Sequence, residues 1–357
     1  MTIALDATYS VGEELSGVGL YSREILFGLA SAHPETRFDF CYRPHRYWRA
    51  RHTALPANAR PRLLAEPLGR FSAPGRADLF HGLNQRLPRM SLHHAIATFH
   101  DLFVMTGEYS TPEFRARFTA QARDAAARAD VIIAVSAFTK RQVVSLLGFP
   151  ADRVHVVHHG VRRLPYPQVT REKVVLNVGA IQTRKNITGL IGAFETLDPS
   201  WRLVLAGSYG YGAEAIRERI ERSSAHQRIA VLGYLPTHEL AAWYARASIF
   251  AFPSLDEGFG MPVLEAMAAG TPVLTSNCSA LPEVVGDAAL LVDPQNPDGM
   301  AEALHNLAGD ENLRGALSSA GRSRARHFTW QEAARETWEV YQRFSSSTAI
   351  LSARRKR

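Results

Sequence analysis

Short, continuous apolar runs recur along this chain, and most are followed by a stretch in which apolar residues fall three and four apart. In the first half such runs occupy residues 2–6, 78–82, 95–101, 131–135 and 154–157. The second half keeps a more regular beat, with runs at 174–178, 202–206, 229–232, 249–252, 272–275 and 289–292 and helical patterns near 186–197, 212–223, 237–247, 262–269 and 280–285. Runs this short and this uniformly apolar read as strands covered on both faces, which is how parallel sheets are built. The alternation predicts an α/β fold with parallel sheets and right-handed crossovers. Residues 160–168 carry two prolines and read as a linker, so two domains are expected, 1–165 and 166–329.

From about residue 297 the pattern is helical, and Phe328-Thr-Trp330 opens a helix whose stripe of Trp338, Val340, Tyr341 and Phe344 needs a surface. The expectation is that 330–345 packs back on the first domain and that 346–357 is a disordered basic tail. Arg43 to Arg62 lacks clean periodicity and reads as an exposed basic segment with a short helix at most. Residues 112–128 form an amphipathic helix with arginines at 115, 117, 123 and 128, a face that is either solvated or rests on anionic lipid.

Composition narrows the class. At 357 residues, 46% hydrophobic and 21% charged, the chain is a globular protein of two-domain size. Two cysteines far apart imply no disulfide framework and a reducing compartment. The amino terminus runs straight into a strand without a leader pattern, and no apolar run approaches the roughly 20 residues of a membrane span, so a cytoplasmic protein is expected. A net charge of +7 suits anionic ligands or an anionic membrane surface. Nucleic acid is disfavoured, because the arginines are scattered and no binding motif accompanies them.

The chemistry gathers at strand ends. Glu257-Gly258-Phe259-Gly260-Met261-Pro262-Val263-Leu264-Glu265 follows a strand and opens a helix, with Pro262 expected as its first residue. Main-chain N–H groups and a helix dipole there suit a phosphate, while two glutamates suit hydroxyls. A diphosphate flanked by a sugar and a ribose uses both; two solvated first-turn acids are the plain alternative. Gly17 and Gly19 make a second strand–turn–helix junction, either an anion site or a simple turn. His81, His100 and Asp101 close strands and are candidates for a ligand crevice. Arg184 and Lys185 lie in the first turn of the second half, where they would neutralise a diphosphate or be solvated.

Taken together, Glu257 through Glu265, the preceding Pro-Ser254, Ala-Met-Ala-Ala-Gly270-Thr-Pro-Val, Leu281-Pro-Glu-Val284, Arg184-Lys185-Asn186, Val135-Ser-Ala-Phe-Thr139, Gly17-Val-Gly19 and Phe99-His100-Asp101 resemble the retaining nucleotide-sugar glycosyltransferases of family 4, in a bacterial mannosyltransferase-like form. The resemblance implies the GT-B fold, two Rossmann-like domains facing a cleft. It implies that Glu265 holds the donor ribose, that Glu257 with Gly258, Phe259 and Gly260 holds the sugar and phosphate, and that Lys185 binds the diphosphate. Gly17 and Gly19 would approach the phosphates and His100 the donor sugar; His81 and Asp101, as strand-end residues, are candidates for the acceptor side. Ala180 stands where many relatives carry arginine, which Arg184 would replace.

The implied reaction moves a hexose, with mannose from GDP-mannose the expected case, to a lipid-linked or oligosaccharide acceptor in cell-surface polysaccharide synthesis. No Asp-x-Asp pair is present, so neither a metal nor another cofactor is expected. The protein would be cytoplasmic, with peripheral contact at the inner membrane face. An epimerase or phosphorylase of the same fold, or a non-catalytic nucleotide-sugar-binding protein, is the alternative.

Overall fold

The computed structural model of the chain describes residues 1–355 apart from Glu13 and His52, with side chains through Arg343 apart from Arg70. It divides into two compact units. One comprises Met1–Met105, Glu113–Gly160 and the chain from Thr329 onward; the other comprises Thr106–Pro112 and Val161–Phe328. Both are discontinuous in sequence: the chain from Thr329 belongs with the first unit, and Thr106–Pro112 belongs with the second.

In the first unit, β1 (Thr2–Asp6), β2 (Arg37–Tyr42), β3 (Ala59–Leu63), β4 (Leu79–Gly82), β5 (Ala95–Phe99), β6 (Val131–Ala134) and β7 (Val154–Val156) form one parallel sheet in the order β3-β2-β1-β4-β5-β6-β7. The helices are α1 (Gly17–Ala32), α2 (Pro44–Ala50), α3 (Ala73–Arg76), α4 (Phe103–Thr106), α5 (Pro112–Arg128) and α6 (Ala137–Leu147). Ser136 caps α6, its hydroxyl accepting from the Thr139 N–H at 3.0 Å. Two strands are absent from the sequence expectation. β2 has the buried Asp39 in its middle, which breaks the apolar run and is held by Arg62 Nε at 3.3 Å. β3 begins inside the Arg43–Arg62 stretch expected to be irregular and ends one residue beyond it, and it contains Pro61. As the sheet's edge strand it has no neighbour on its outer side to require the missing N–H.

In the second unit, β8 (Glu172–Val178), β9 (Arg202–Ala206), β10 (Ile229–Gly233), β11 (Ala247–Phe252), β12 (Val273–Ser276) and β13 (Leu290–Val292) form a parallel sheet in the order β10-β9-β8-β11-β12-β13. Its helices are α7 (Ile187–Glu195), α8 (Ala213–Glu221), α9 (Thr237–Arg246), α10 (Met261–Ala268), α11 (Leu281–Val285), α12 (Pro297–Gly309) and α13 (Glu311–Ala325). β11 is buried along its whole length, as a central strand covered on both faces must be. Its neighbours share a core with Val175, Ile191, Phe194, Leu203 and Ile249. Pro262 is the second residue of α10, not the first: Gly260, in left-handed conformation, is the N-cap and Met261 begins the helix.

After the second unit the chain returns as α14 (Trp330–Arg355), which packs along α1 in the first unit. Trp338 stacks on His33 with ring centroids 3.7 Å apart. The helix runs to Arg355, so residues 346–355 are helical where a disordered tail is expected; Lys356 and Arg357 lie outside the described residues.

Both sheets reverse their strand order beside their first strand, at β1/β4 and at β8/β11. Helices leave in opposite directions on the two sides of such a point, opening a crevice at the carboxyl ends of the strands.

Candidate functional site

The β8/β11 switch point of the second unit is where four charged side chains converge. β8 ends at Val178, and the turn Thr183–Lys185 brings Arg184 and Lys185 back over the strand ends; β11 ends at Phe252 and leads through Ser254 to Asp256 and Glu257. The main chains are tied together, the Leu255 N–H donating to the Arg184 carbonyl at 2.8 Å. Glu257 Oε1 accepts from Lys185 Nζ, lies 3.2 Å from Arg184 Nη1, and accepts from the Ser254 hydroxyl at 2.6 Å. Lys185 Nζ also sits 4.6 Å from the centre of the Phe252 ring.

All three charged groups are over nine-tenths buried. Burial alone would raise the Glu257 carboxyl, but Arg184, Lys185 and the bonds from Lys185 and Ser254 outweigh it and bring it down to about 2. Next to it Asp256 goes the other way. Burial raises its carboxyl, against the Thr106 hydroxyl, which donates to Oδ2 at 2.6 Å, and against Arg184; Oδ1 has no hydrogen-bond partner among the described residues.

The Gly258-Phe259-Gly260 turn is fixed by packing. Phe259 is buried edge-on against Phe328, with centroids 5.9 Å apart. Gly260 has φ +103°, and a Cβ there would lie 2.7 Å from Leu281 Cδ2, so both conformation and space demand glycine.

Glu265, in the second turn of α10, is held by a different set. Its Oε1 accepts from Arg162 Nε at 3.0 Å and its Oε2 from the Tyr244 hydroxyl at 2.9 Å, while its backbone carbonyl accepts from the Tyr166 hydroxyl at 2.9 Å. Burial raises its carboxyl, with Arg162 opposing. The linker is thus part of the site and not a bare tether. Sequence reasoning missed Arg162, Tyr166, Tyr244, Asp256 and Thr106. Asp256 adjoins the motif and Arg162 is a cation in the linker, both visible; Tyr244 and Thr106 carry no signal, because only the fold brings them near.

In the first unit, Gly17 and Gly19 open α1, where the Ser16 hydroxyl accepts from the Gly19 N–H at 3.2 Å. A Cβ on Gly19 would lie 2.8 Å from the Tyr9 carbonyl. His81 has no exposed surface. Its Nε2 bonds the Thr98 hydroxyl at 2.8 Å and its Nδ1 the Tyr341 hydroxyl at 2.6 Å, leaving it no face for an acceptor. His100 Nε2 lies 3.0 Å from the Leu83 carbonyl, so Nε2 carries the proton, and Nδ1 is a buried lone pair without a hydrogen-bond partner among the described residues. Its ring packs edge-on against Tyr21 and His159, centroids 4.7 and 5.3 Å apart. Burial lowers His81 to about 3 and His100 to about 4. Asp101 follows His100, and its backbone carbonyl accepts from the Gln85 amide at 3.2 Å. A hollow of about 810 Å³ elsewhere in this unit is lined by Tyr9, Asn84, Arg86, Phe114, Arg117 and Gln121, among others.

Two open parallel sheets with the same switch-point order, one carrying a buried cation–carboxylate cluster at its strand ends, define an α/β glycosyltransferase of the GT-B fold. Known proteins agree. Sucrose-phosphate synthase from Thermosynechococcus elongatus has the same fold, with TM-score 0.77 and 22% identity over 97% of this chain and 99% of its own. HepE from Anabaena, solved in complex with UDP-glucose, gives TM-score 0.70 at 17% identity over 97% and 100%. Residues 24–163 match the description Glycosyltransferase Family 4 and residues 165–324 match Glycosyl transferases group 1. The O-antigen chain mannosyltransferase B of Escherichia coli is 32% identical over 281 residues, 74% of each chain. A D-inositol 3-phosphate glycosyltransferase of Xylanimonas cellulosilytica is 31% identical over 280 residues, 71% of this chain and 66% of its own. The chain belongs to this glycosyltransferase family, group 1 and family 4, and is a transferase. No helix among the described residues is long and apolar enough to cross a membrane.

Proposed function

We propose that the chain transfers a hexose, mannose from GDP-mannose in the first instance, from a nucleoside-diphosphate sugar to a lipid-linked or oligosaccharide acceptor of a bacterial cell-surface polysaccharide, with retention of configuration and without a metal ion. The observation that carries this is the Arg184–Lys185–Glu257 cluster at the β8/β11 switch point. One guanidinium and one ammonium group buried at strand ends suit a diphosphate, and the departing diphosphate is where charge develops as the sugar–phosphate bond breaks. A diphosphate arriving there competes with Glu257 for both cations, which frees the carboxylate to accept from sugar hydroxyls. Glu265 takes the ribose hydroxyls through lone pairs that Arg162 and Tyr244 leave open. The names of relatives support mannose: besides the enzyme above, a serotype-specific mannosyltransferase WbdA of Escherichia coli is 28% identical over 63% of this chain and 30% of its own.

The metal-free clause stays in the proposal on the sequence alone, which contains no Asp-x-Asp pair. Retention follows from same-face attack by the acceptor hydroxyl, with no covalent intermediate. The first unit's arginine- and aromatic-lined hollow suits a phosphorylated or oligosaccharide acceptor. His100, Asp101, Gly17 and Gly19 stay in the proposal on the family's motifs alone.

The test is thermal unfolding with UDP, GDP, dTDP and their sugars, followed by product release from the stabilising donor with and without EDTA. A ligand at a hundred times its dissociation constant stabilises by about 2.7 kcal/mol. No shift with any nucleotide refutes the donor site, and loss of activity in EDTA refutes the metal-free clause. Donor turnover without acceptor would point to an epimerase.

A further inference from the structure

The chain's excess charge is concentrated. From Arg37 to Arg76 there are nine arginines, no lysine and two acids, Asp39 and Glu66, an excess of seven that equals the formal charge of +7 of the whole chain; elsewhere cations and acids balance in number. This stretch builds the β3 edge of the first unit's sheet, through β2, α2, β3, the turn Glu66–Phe71 and α3. Its two acids are engaged, Asp39 by Arg62 at 3.3 Å and Glu66 by Arg43 at 3.0 Å.

The same edge exposes large apolar side chains. Trp48, on α2, is 67% exposed, with the Arg51 guanidinium 5.0 Å from its ring centre, and Phe71 is 65%, Leu68 57% and Leu63 40% exposed. α2 packs against β3, and Leu63, Leu68 and Phe71 share a hollow of about 510 Å³ with Arg37, Arg62 and Arg76. Guanidinium groups beside a protruding indole, a phenyl and two aliphatic side chains match the boundary of an anionic bilayer, where cations meet lipid headgroups and apolar groups enter the acyl region. Nucleic acid would use the cations and the rings. It would have no use for Leu63 and Leu68, which offer no face for base stacking.

We propose that the β3 edge docks the chain on an anionic lipid bilayer. The sequence points first to the basic face of residues 112–128; the charge balance and the exposed apolar groups place the surface here. The docking goes beyond the transfer reaction and stands whatever the donor.

The full chain is sedimented with phosphatidylcholine vesicles with and without phosphatidylglycerol, at low and high salt. Arg49, Arg60 and Arg76 are exposed, as are Leu68 and Phe71, so their variants fold. Binding should require phosphatidylglycerol and weaken with salt. R49E/R60E/R76E should lower partitioning roughly a hundredfold and L68S/F71S roughly tenfold, while deletion from Ser352 onward, which removes the basic terminus, should leave most of it. Nucleotide-induced thermal shifts should be unchanged in both variants, which separates failure here from failure of the proposed donor site. Equal binding to neutral vesicles, indifference to both variants, loss only on deleting the terminus, or RNA binding by this edge in place of vesicle binding would overturn the proposal.

Discussion

Replacing Glu257 by glutamine separates binding of the leaving group from the rest of the reaction. The carboxyl is held at about 2 against an ordinary 4.5, chiefly because Arg184 and Lys185 overcome the cost of burial. A depressed carboxylate contributes stability that is present above the unfolded value and lost as pH falls from 4.5 through 2. The shift corresponds to about 3 kcal/mol at neutral pH. Removing one member of a buried ion pair costs about 3–5 kcal/mol by a separate route, the stranded charge, and the two figures agree. E257Q should therefore lower the stability of the second unit by about 3 kcal/mol, read by urea unfolding at pH 7.5, with faster hydrogen exchange in β8 and β11 to localise it. Without its carboxylate the two cations keep only Asp256, whose carboxyl burial raises, as a nearby acid, so a nucleoside diphosphate should stabilise E257Q more than the wild type while transfer falls. A loss under about 1 kcal/mol, or a smaller diphosphate-induced gain in the variant, would refute the reasoning.

Gly260→Ala should destabilise by about 1–3 kcal/mol, because a Cβ must fit at φ +103° and 2.7 Å from Leu281 Cδ2; a melting temperature unchanged from wild type would show that the turn can relax. Acid should weaken the first unit. His81 and His100 titrate near 3 and 4 when folded and at 6.5 when unfolded, so the unfolded chain takes up protons first. Their contribution is complete above pH 6.5 and lost as pH falls toward 4, about 1 kcal/mol each at pH 5.5. Urea midpoints at pH 7.5 and 5.5 should show the fall, H81Q should flatten it by about one proton, and a pH-independent midpoint would contradict it.

Most of the fold was legible because parallel strands buried on both faces announce themselves as apolar runs. β6 has no polar residue on either face to hide it, and β11 has none after Ser248. β2 and β3 lacked that signal for opposite reasons: Asp39 lies inside a strand because Arg62 can reach it, and Pro61 lies inside a strand because nothing pairs beyond it. In the site, residues that share a turn with the motif were readable, whereas Thr106 and Tyr244 reach Asp256 and Glu265 across more than one hundred and across twenty-one residues of sequence. In sequence both glutamates suited hydroxyls beside a phosphate. The structure gives Glu257 both cations.

The two switch points carry opposite electrostatics, although the sheets share one strand order. At β8/β11 burial is offset by counter-charge, with Arg184 and Lys185 holding the Glu257 carboxyl at about 2. In the first unit His81, His100 and His159 are buried among Tyr21, Thr98, Tyr341 and Trp330, and desolvation lowers all three below the ordinary imidazole value. A neutral imidazole whose Nε2 proton is committed to the Leu83 carbonyl offers only an acceptor at Nδ1. It suits an uncharged hydroxyl and does nothing for a phosphate. The second unit is built the other way, with cations whose charge a departing diphosphate can use. The difference in charge between the two clusters therefore follows from which buried groups were given partners of opposite sign, and the proposed division between leaving-group and hydroxyl recognition rests on it.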